Sequence, residues 1–230
     1  MLVFLHVPKT AGTTLRSIIM RQYPSAAGFD TFGNPDAQPD LSAGMLHGHI
    51  HYGTVPGARY FTMLRDPIAR IVSLYNHARY KPASNLHDEA MSRTLPDFVD
   101  LAGNDGQTRQ IAGVIKGPIG PDELELAKRN LDSCVVVGIQ EHFDESLLLF
   151  SKRLGWRFPL YRSKMVSHQS TDVAPEIREL IASRNQNDMA LYAHAKELFD
   201  SYPRGALFGA QLTALRILNR GLWYIKRGKS

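Results

Sequence analysis

The sequence predicts an α/β protein with a central, mainly parallel sheet and helices on both faces. Three observations carry this. Apolar runs of strand length recur at residues 2–7, 58–64 and 134–139. The first two stop at a proline-marked turn, at Pro8 and Pro67, and pass into residues with helical spacing. Strand–turn–helix units in series imply parallel strands joined by helical crossovers.

The first unit opens the chain. Leu2 to Val7 reads as a buried strand that stops at Pro8. Leu15, Ile18 and Ile19 then follow at helical spacing, which predicts a helix over about Thr13 to Arg21. A helix start presents unpaired N–H groups and the positive end of the macrodipole, so it suits an anion. Lys9 adds a point charge, and Thr10, Thr13 and Thr14 add hydroxyl donors. No acid occurs between Met1 and Phe29. The order is wrong for a Walker loop, because the lysine precedes Gly12; this argues against a nucleotide kinase or GTPase. Such a loop can still wrap a 5′-phosphate. The alternative is an ordinary strand-to-helix turn with an exposed lysine.

Tyr23 to Ala43, rich in Gly, Pro and Asp, reads as a surface loop, and residues 45–50 as a short strand or strand end. Ala58 to Leu64 is the second clear strand. Asp66 is placed as an N-cap and Pro67 at the first helical position, ahead of Ile68, Ile71, Val72 and Tyr75. Residues 81–120 are loop-rich, with short helices expected at Leu95 to Leu101 and around Gln107 to Gly113. An amphipathic helix from Pro121, a third buried strand over Cys134 to Ile139 and a helix over Phe143 to Leu154 follow. Tyr161 to Asp172 is polar and basic. Two helices are expected around Pro175 to Ser183 and Asn187 to Phe199. A basic amphipathic stretch closes the chain from Leu207.

The chain has 230 residues and a net charge of +5, and the charge is uneven. Residues 204–230 carry Arg204, Arg216, Arg220, Lys226, Arg227 and Lys229 and no acid, so the remainder is near neutral. A near-neutral body is not a general nucleic-acid binder, and no nucleic-acid partner is expected. The division expected is a main domain over 1–203 and a basic amphipathic helix or tail over 204–230. That tail can lie on an anionic membrane, pack on the body or form a dimer interface. The single cysteine, Cys134, allows no intrachain disulfide. Strand-like sequence from residue 2 leaves no room for a signal peptide. No apolar run approaches the roughly 18 to 20 residues that span a bilayer. The expected location is the cytoplasm.

Two further groups carry chemistry. Arg65 ends a strand, where open α/β sheets bind ligands, and Ser73 lies about two turns along the next helix. Together they can hold a second phosphate; alternatively Arg65 pairs with Asp66 at the surface and Ser73 bonds its own backbone. His47, His49 and His51 would project from one face of a strand. Three readings stand open: a histidine metal site, solvated imidazoles, or a general base for a hydroxyl. No carboxylate or cysteine lies near them in sequence.

Taken together, these segments resemble a known family. Val7-Pro8-Lys9-Thr10-Ala11-Gly12-Thr13-Thr14-Leu15, then His47-Gly48-His49, then Leu64-Arg65-Asp66-Pro67 through Ser73-Leu74-Tyr75 resemble sulfotransferases that use 3′-phosphoadenosine-5′-phosphosulfate (PAPS). The resemblance is strongest to the heparan sulfate and uronyl 2-O-sulfotransferase group and its compact bacterial relatives. It extends in order to about residue 200 and implies a P-loop-like three-layer fold. It also implies that Pro8, Lys9, Thr10, Ala11, Gly12, Thr13 and Thr14 grip the 5′-phosphosulfate, with Arg65 and Ser73 on the 3′-phosphate. His49 is implied as the base, with His47 supporting it or binding substrate, an order set by the resemblance alone. Arg109 is a candidate for the acceptor or donor, and Lys164, Ser167 and His168 for a loop closing over the nucleotide. No metal is required. The function implied is sulfuryl transfer to a carbohydrate hydroxyl. Alternatives are the same transfer to a lipid-linked sugar, a small metabolite or a tyrosine, a protein that binds 3′-phosphoadenosine-5′-phosphate (PAP) without transfer, and a metal-dependent hydrolase.

Overall fold

The structure is a computed structural model that describes residues 1–32, 37–101, 104–161 and 172–227, with side chains described to residue 220. A five-stranded sheet forms its centre, in the order β2-β3-β1-β4-β5, with every pair parallel. The strands are β1 (Leu2–Leu5), β2 (Ala26–Gly28), β3 (Met45–Gly48), β4 (Arg59–Leu64) and β5 (Val136–Ile139). β1 takes the middle because its residues are apolar throughout: Val3, Phe4 and Leu5 are all buried between two neighbours. Its register sets Phe4 opposite His47 on one side and Leu5 opposite Thr62 on the other. Strands are added on one side of β1 and then on the other. The carboxyl ends of β3, β1 and β4 therefore open onto one crevice, the usual ligand position in such sheets.

β2 lies in the stretch expected to be surface loop. Ala26-Ala27-Gly28 carries no apolar alternation, so only its backbone pairing with β3 makes it a strand. Helix α1 (Gly12–Gln22) follows the first loop. Helix α2 (Pro67–Tyr80) starts as expected: the Asp66 carboxylate accepts from the Ala69 N–H at 2.8 Å, with Pro67 at the first position. Helices α3 (His87–Ser92), α4 (Leu95–Val99) and α5 (Gly106–Ala112) occupy the loop-rich middle. Helix α6 (Pro121–Ser133) starts where Glu123 accepts from the Gly120 N–H at 2.9 Å. Helix α7 (Phe143–Leu154) and the later α8 (Pro175–Arg184) and α9 (Gln186–Ser201) complete the body. Both α7 and α9 pack on β5, whereas α2, α3, α4 and α8 build a smaller core of Ile71, Phe98, Val99 and Ile181.

The closing helix, α10 (Phe208–Arg227), docks on α7. Phe208 and Leu215 are buried, Arg216 reaches Asp144 at 3.4 Å, and Asn219 accepts from the Tyr161 N–H at 3.0 Å. Ile217 remains 63% exposed on the far side. Among the described residues, no helix is long and apolar enough to cross a membrane.

Candidate active site

The first loop stores backbone strain. Lys9 and Ala11 both adopt left-handed backbone, at φ 72° and 61°. Without glycine this costs about 1–2 kcal/mol per residue, and such strain clusters at functional sites. Turns of this kind point successive N–H groups into one concavity, an anion nest. Thr10 closes the loop from inside: its hydroxyl is buried and donates to the Val7 carbonyl at 2.8 Å, so it does not face a ligand. The Thr14 and Leu15 N–H groups both donate to the Ala11 carbonyl at 3.1 Å. Among the described residues, no acceptor meets the N–H groups of Gly12 and Thr13, which remain as the open donors of α1. A Cβ on Gly12 would lie 1.6 Å from Nε2 of His6, so any side chain there would have to displace the imidazole.

Cations gather on the loop. Lys9 is half-buried, and burial, with the charges of Arg65 and Lys81, lowers its pKa to about 8. Arg65 donates through Nη1 to the Lys9 carbonyl at 3.0 Å, so both anion sites expected from sequence meet. Gln107 clamps the Arg65 backbone in both directions, accepting from its N–H at 3.0 Å and donating to its carbonyl at 2.9 Å. Glu141 lies 3.9 Å from the guanidinium, yet the buried Nε has no hydrogen-bond partner. An orphaned buried donor beside open backbone N–H groups fits an anionic nucleotide such as PAPS. Ser73 is half-buried on α2. His77, one turn further on the same face, has its pKa lowered first by burial and then by Lys9 and Lys81. His77 and Lys81 thus share the electrostatic field of Lys9; their spacing of four and eight residues from Ser73 is the signal that could have picked them out.

The histidines meet across the strand ends. β3 stops at Gly48, whose Cβ would fall 1.8 Å from the Phe29 carbonyl, so the pleat does not continue through His49 and His51. His47 is buried in β3, and burial first, then Arg16, lowers its pKa. Residues 29–31 run beside 47–49, with the Phe29 N–H on the His47 carbonyl and the Thr31 N–H on the His49 carbonyl, each at 3.0 Å. That pairing carries Asp30 to His49, whose Nδ1 donates to the carboxylate at 2.8 Å. The sequence suggested no carboxylate near these histidines; an unread β2 hid it. His51 donates from Nδ1 to the Thr31 hydroxyl at 2.8 Å, and that hydroxyl donates on to the His49 carbonyl at 3.1 Å. Phe32 lies against both His49 and His51. Among the described residues, no group of three or more His, Cys, Asp or Glu comes together to hold a metal ion.

Helix α5 is the brace beneath the site. The Gln110 amide donates to the carbonyls of His6 at 3.2 Å and Ile50 at 2.9 Å, tying the ends of β1 and β3. Asp188, fully buried at the start of α9, accepts from the N–H groups of Gln107 and Thr108, from the Thr108 hydroxyl and from Arg70. Residues 107–110 therefore act mainly through their amides. Arg109 donates to the Gly117 carbonyl at 2.8 Å and acts on His51, which it helps to keep neutral after burial. Lys164, Ser167 and His168 lie outside the described residues.

Known proteins share this pattern. The pattern described as sulfotransferase family matches residues 1–112, which holds the loop, the histidines, Arg65 and Ser73. Human heparan-sulfate 6-O-sulfotransferase 2 is 27% identical over 176 residues, covering 61% of this chain and 29% of that one. Chicken heparan sulfate 2-O-sulfotransferase 1 is 24% identical over 234 positions, covering 82% of this chain and 66% of that one. The chain thus spans less than two thirds of the length of either relative. A solved mouse sulfotransferase complexed with PAP aligns at a TM-score of 0.41 and 14% identity, over 82% of this chain and 65% of that one, too distant to carry an argument. Residues 1–112, which carry the loop, the histidines and Arg65, match the sulfotransferase family pattern, and the relatives the chain resembles are heparan sulfate 2-O- and 6-O-sulfotransferases.

Proposed function

We propose that this protein transfers a sulfuryl group from PAPS to a hydroxyl of a carbohydrate acceptor, with His49 as general base. One observation carries the reading. The His49 ring stacks on His6, whose Nε2 in turn abuts Gly12, so base and anion loop stand one imidazole apart. Asp30 takes Nδ1 of His49 and leaves Nε2 to accept a proton.

PAPS, when bound, supplies the activated sulfuryl group. The chain's residues do the rest. N–H groups of the loop hold the 5′-phosphate, and Arg65 with Ser73 holds the 3′-phosphate. The Lys9 ammonium neutralises charge that builds on the leaving oxygen. His49 Nε2 takes the proton of the acceptor hydroxyl as the new oxygen–sulfur bond forms and the bond to the phosphate oxygen breaks. Asp30 then stabilises the imidazolium. The carbohydrate acceptor follows the relatives named above. A cytoplasmic location, and contact of α10 with an anionic membrane, belong to the same proposal.

The test is PAP binding together with transfer. PAP should raise the melting temperature of the protein, and Arg65→Ala should remove that shift. Labelled sulfate should pass from PAPS to de-O-sulfated heparan chains, and His49→Ala should lower transfer about 10²- to 10⁴-fold, leaving a measurable residual rate, with PAP binding intact. Absence of PAP binding overturns the reading.

A further inference from the structure

The proposed mechanism leaves His6 without a role, yet its ring occupies the space between the loop and the base. It follows β1 directly, and its backbone is held at both ends: the N–H donates to the Gly48 carbonyl at 2.9 Å, and the carbonyl accepts from Gln110 at 3.2 Å. One side of the ring meets Gly12, where a Cβ would fall 1.6 Å from Nε2. His49 stacks on it with centroids 4.6 Å apart and planes 25° apart, and Phe4 lies 5.9 Å away at 13°. Asp30 holds His49 at a single atom, which still permits the imidazole to tilt. A stacked ring fixes the plane.

We propose that His6 is a positioning residue: wedged between Gly12 and the His49 ring, it fixes the plane in which the base presents Nε2 to the reacting hydroxyl. The groups facing it are His49 and His47, Asp30, and Lys9. Burial first, then those two histidines, lowers its own pKa to about 3, so it stays uncharged while His49 takes the proton. A second cation stacked at that distance would oppose protonation of His49.

This inference rests on His49 as base, and the test separates the two. His6→Asn removes the ring; His6→Leu fills the space without a plane and serves if the first variant folds poorly. PAP-induced thermal stabilisation should stay as in the wild type. With PAPS and de-O-sulfated heparan chains, kcat should fall about 10- to 100-fold, the scale of a small misplacement of a catalytic group. In a His49→Ala background either substitution should cost nothing more. Histidine-ring ¹H–¹⁵N spectra give a readout free of activity: the Nδ1–H of His49 held by Asp30 should be a single sharp signal in the wild type and broaden or vanish in His6→Asn. An unchanged ring spectrum, or the same loss of kcat in both backgrounds, overturns the role of His6. Full activity in His49→Ala alone overturns the base instead.

Discussion

His49 and Asp30 are 19 residues apart in the chain, and the His49 Nδ1 lies 2.8 Å from the Asp30 carboxylate. The contact decides which ring nitrogen is free. A carboxylate can only accept, so it holds the proton on Nδ1 and leaves Nε2 as the acceptor. Asp30→Asn keeps the shape but can donate its amide to Nδ1, which favours the wrong tautomer. Transfer should fall of order 100-fold or more, with PAP binding unchanged. Steady-state kcat beside PAP-induced thermal shifts measures this, and an unaltered kcat would falsify the pairing's role.

Arg65 and Gln107 make a second pair, because the Gln107 amide meets both backbone polar groups of Arg65. Gln107→Leu leaves both groups without those partners, at about 1–3 kcal/mol. It should also weaken PAP binding, since Arg65 loses its seat, although the Gln107 side chain is bonded to protein backbone. Calorimetric titration with PAP checks this; affinity equal to that of the wild type speaks against the clamp.

Lys9 sets a pH dependence. Its pKa is lowered from 10.5 to about 8, so the free protein loses this cation as pH rises through 8. A bound anion favours the charged form and restores the proton. PAP affinity should therefore decline above pH 8, and binding near pH 8.5 should take up protons. Titrations in buffers of different ionisation enthalpy read the uptake; Lys9→Met should remove it.

Asp188 and Arg70 form a buried ion pair at 3.2 Å. Asp188→Ala leaves a buried guanidinium uncompensated and three α5 donors without acceptor, and should destabilise the protein by about 3–5 kcal/mol. Urea unfolding gives the figure, and a loss near zero would show that water replaces the carboxylate.

His6 predicts a loss of stability in acid. Its folded pKa of about 3 lies below the ordinary 6.5, so the unfolded chain binds the extra proton. The contribution is intact above pH 6.5 and declines progressively as pH falls to about 3. His6→Asn should flatten that part of the pH–stability curve, as measured by urea midpoints from pH 7 to 4.

Much of the fold was legible because local rules produce it. Pro8 and Pro67 punctuate apolar runs, Asp66 caps α2 as its position suggests, and α7 occupies Phe143–Leu154 as the spacing predicts. The elements that escaped carry no local signal. Ala26-Ala27-Gly28 is a strand only because β3 lies beside it, and α3 is a single short helix in a polar stretch. The same holds at the site. Lys9, Arg65 and His49 stand in readable segments, whereas Asp30, His6 and His77 gain meaning only from what the fold brings against them.

The sequence by itself determined the strand–loop–helix units, the order of their charges and the histidine run after residue 46, because periodicity, prolines and caps act over a few residues. Tertiary structure alone decided that Arg65 reaches Lys9, that Asp30 orients His49 and that His6 fills the gap at Gly12. Parallel pairing sets register between strands distant in the chain, and register has no trace in local spacing.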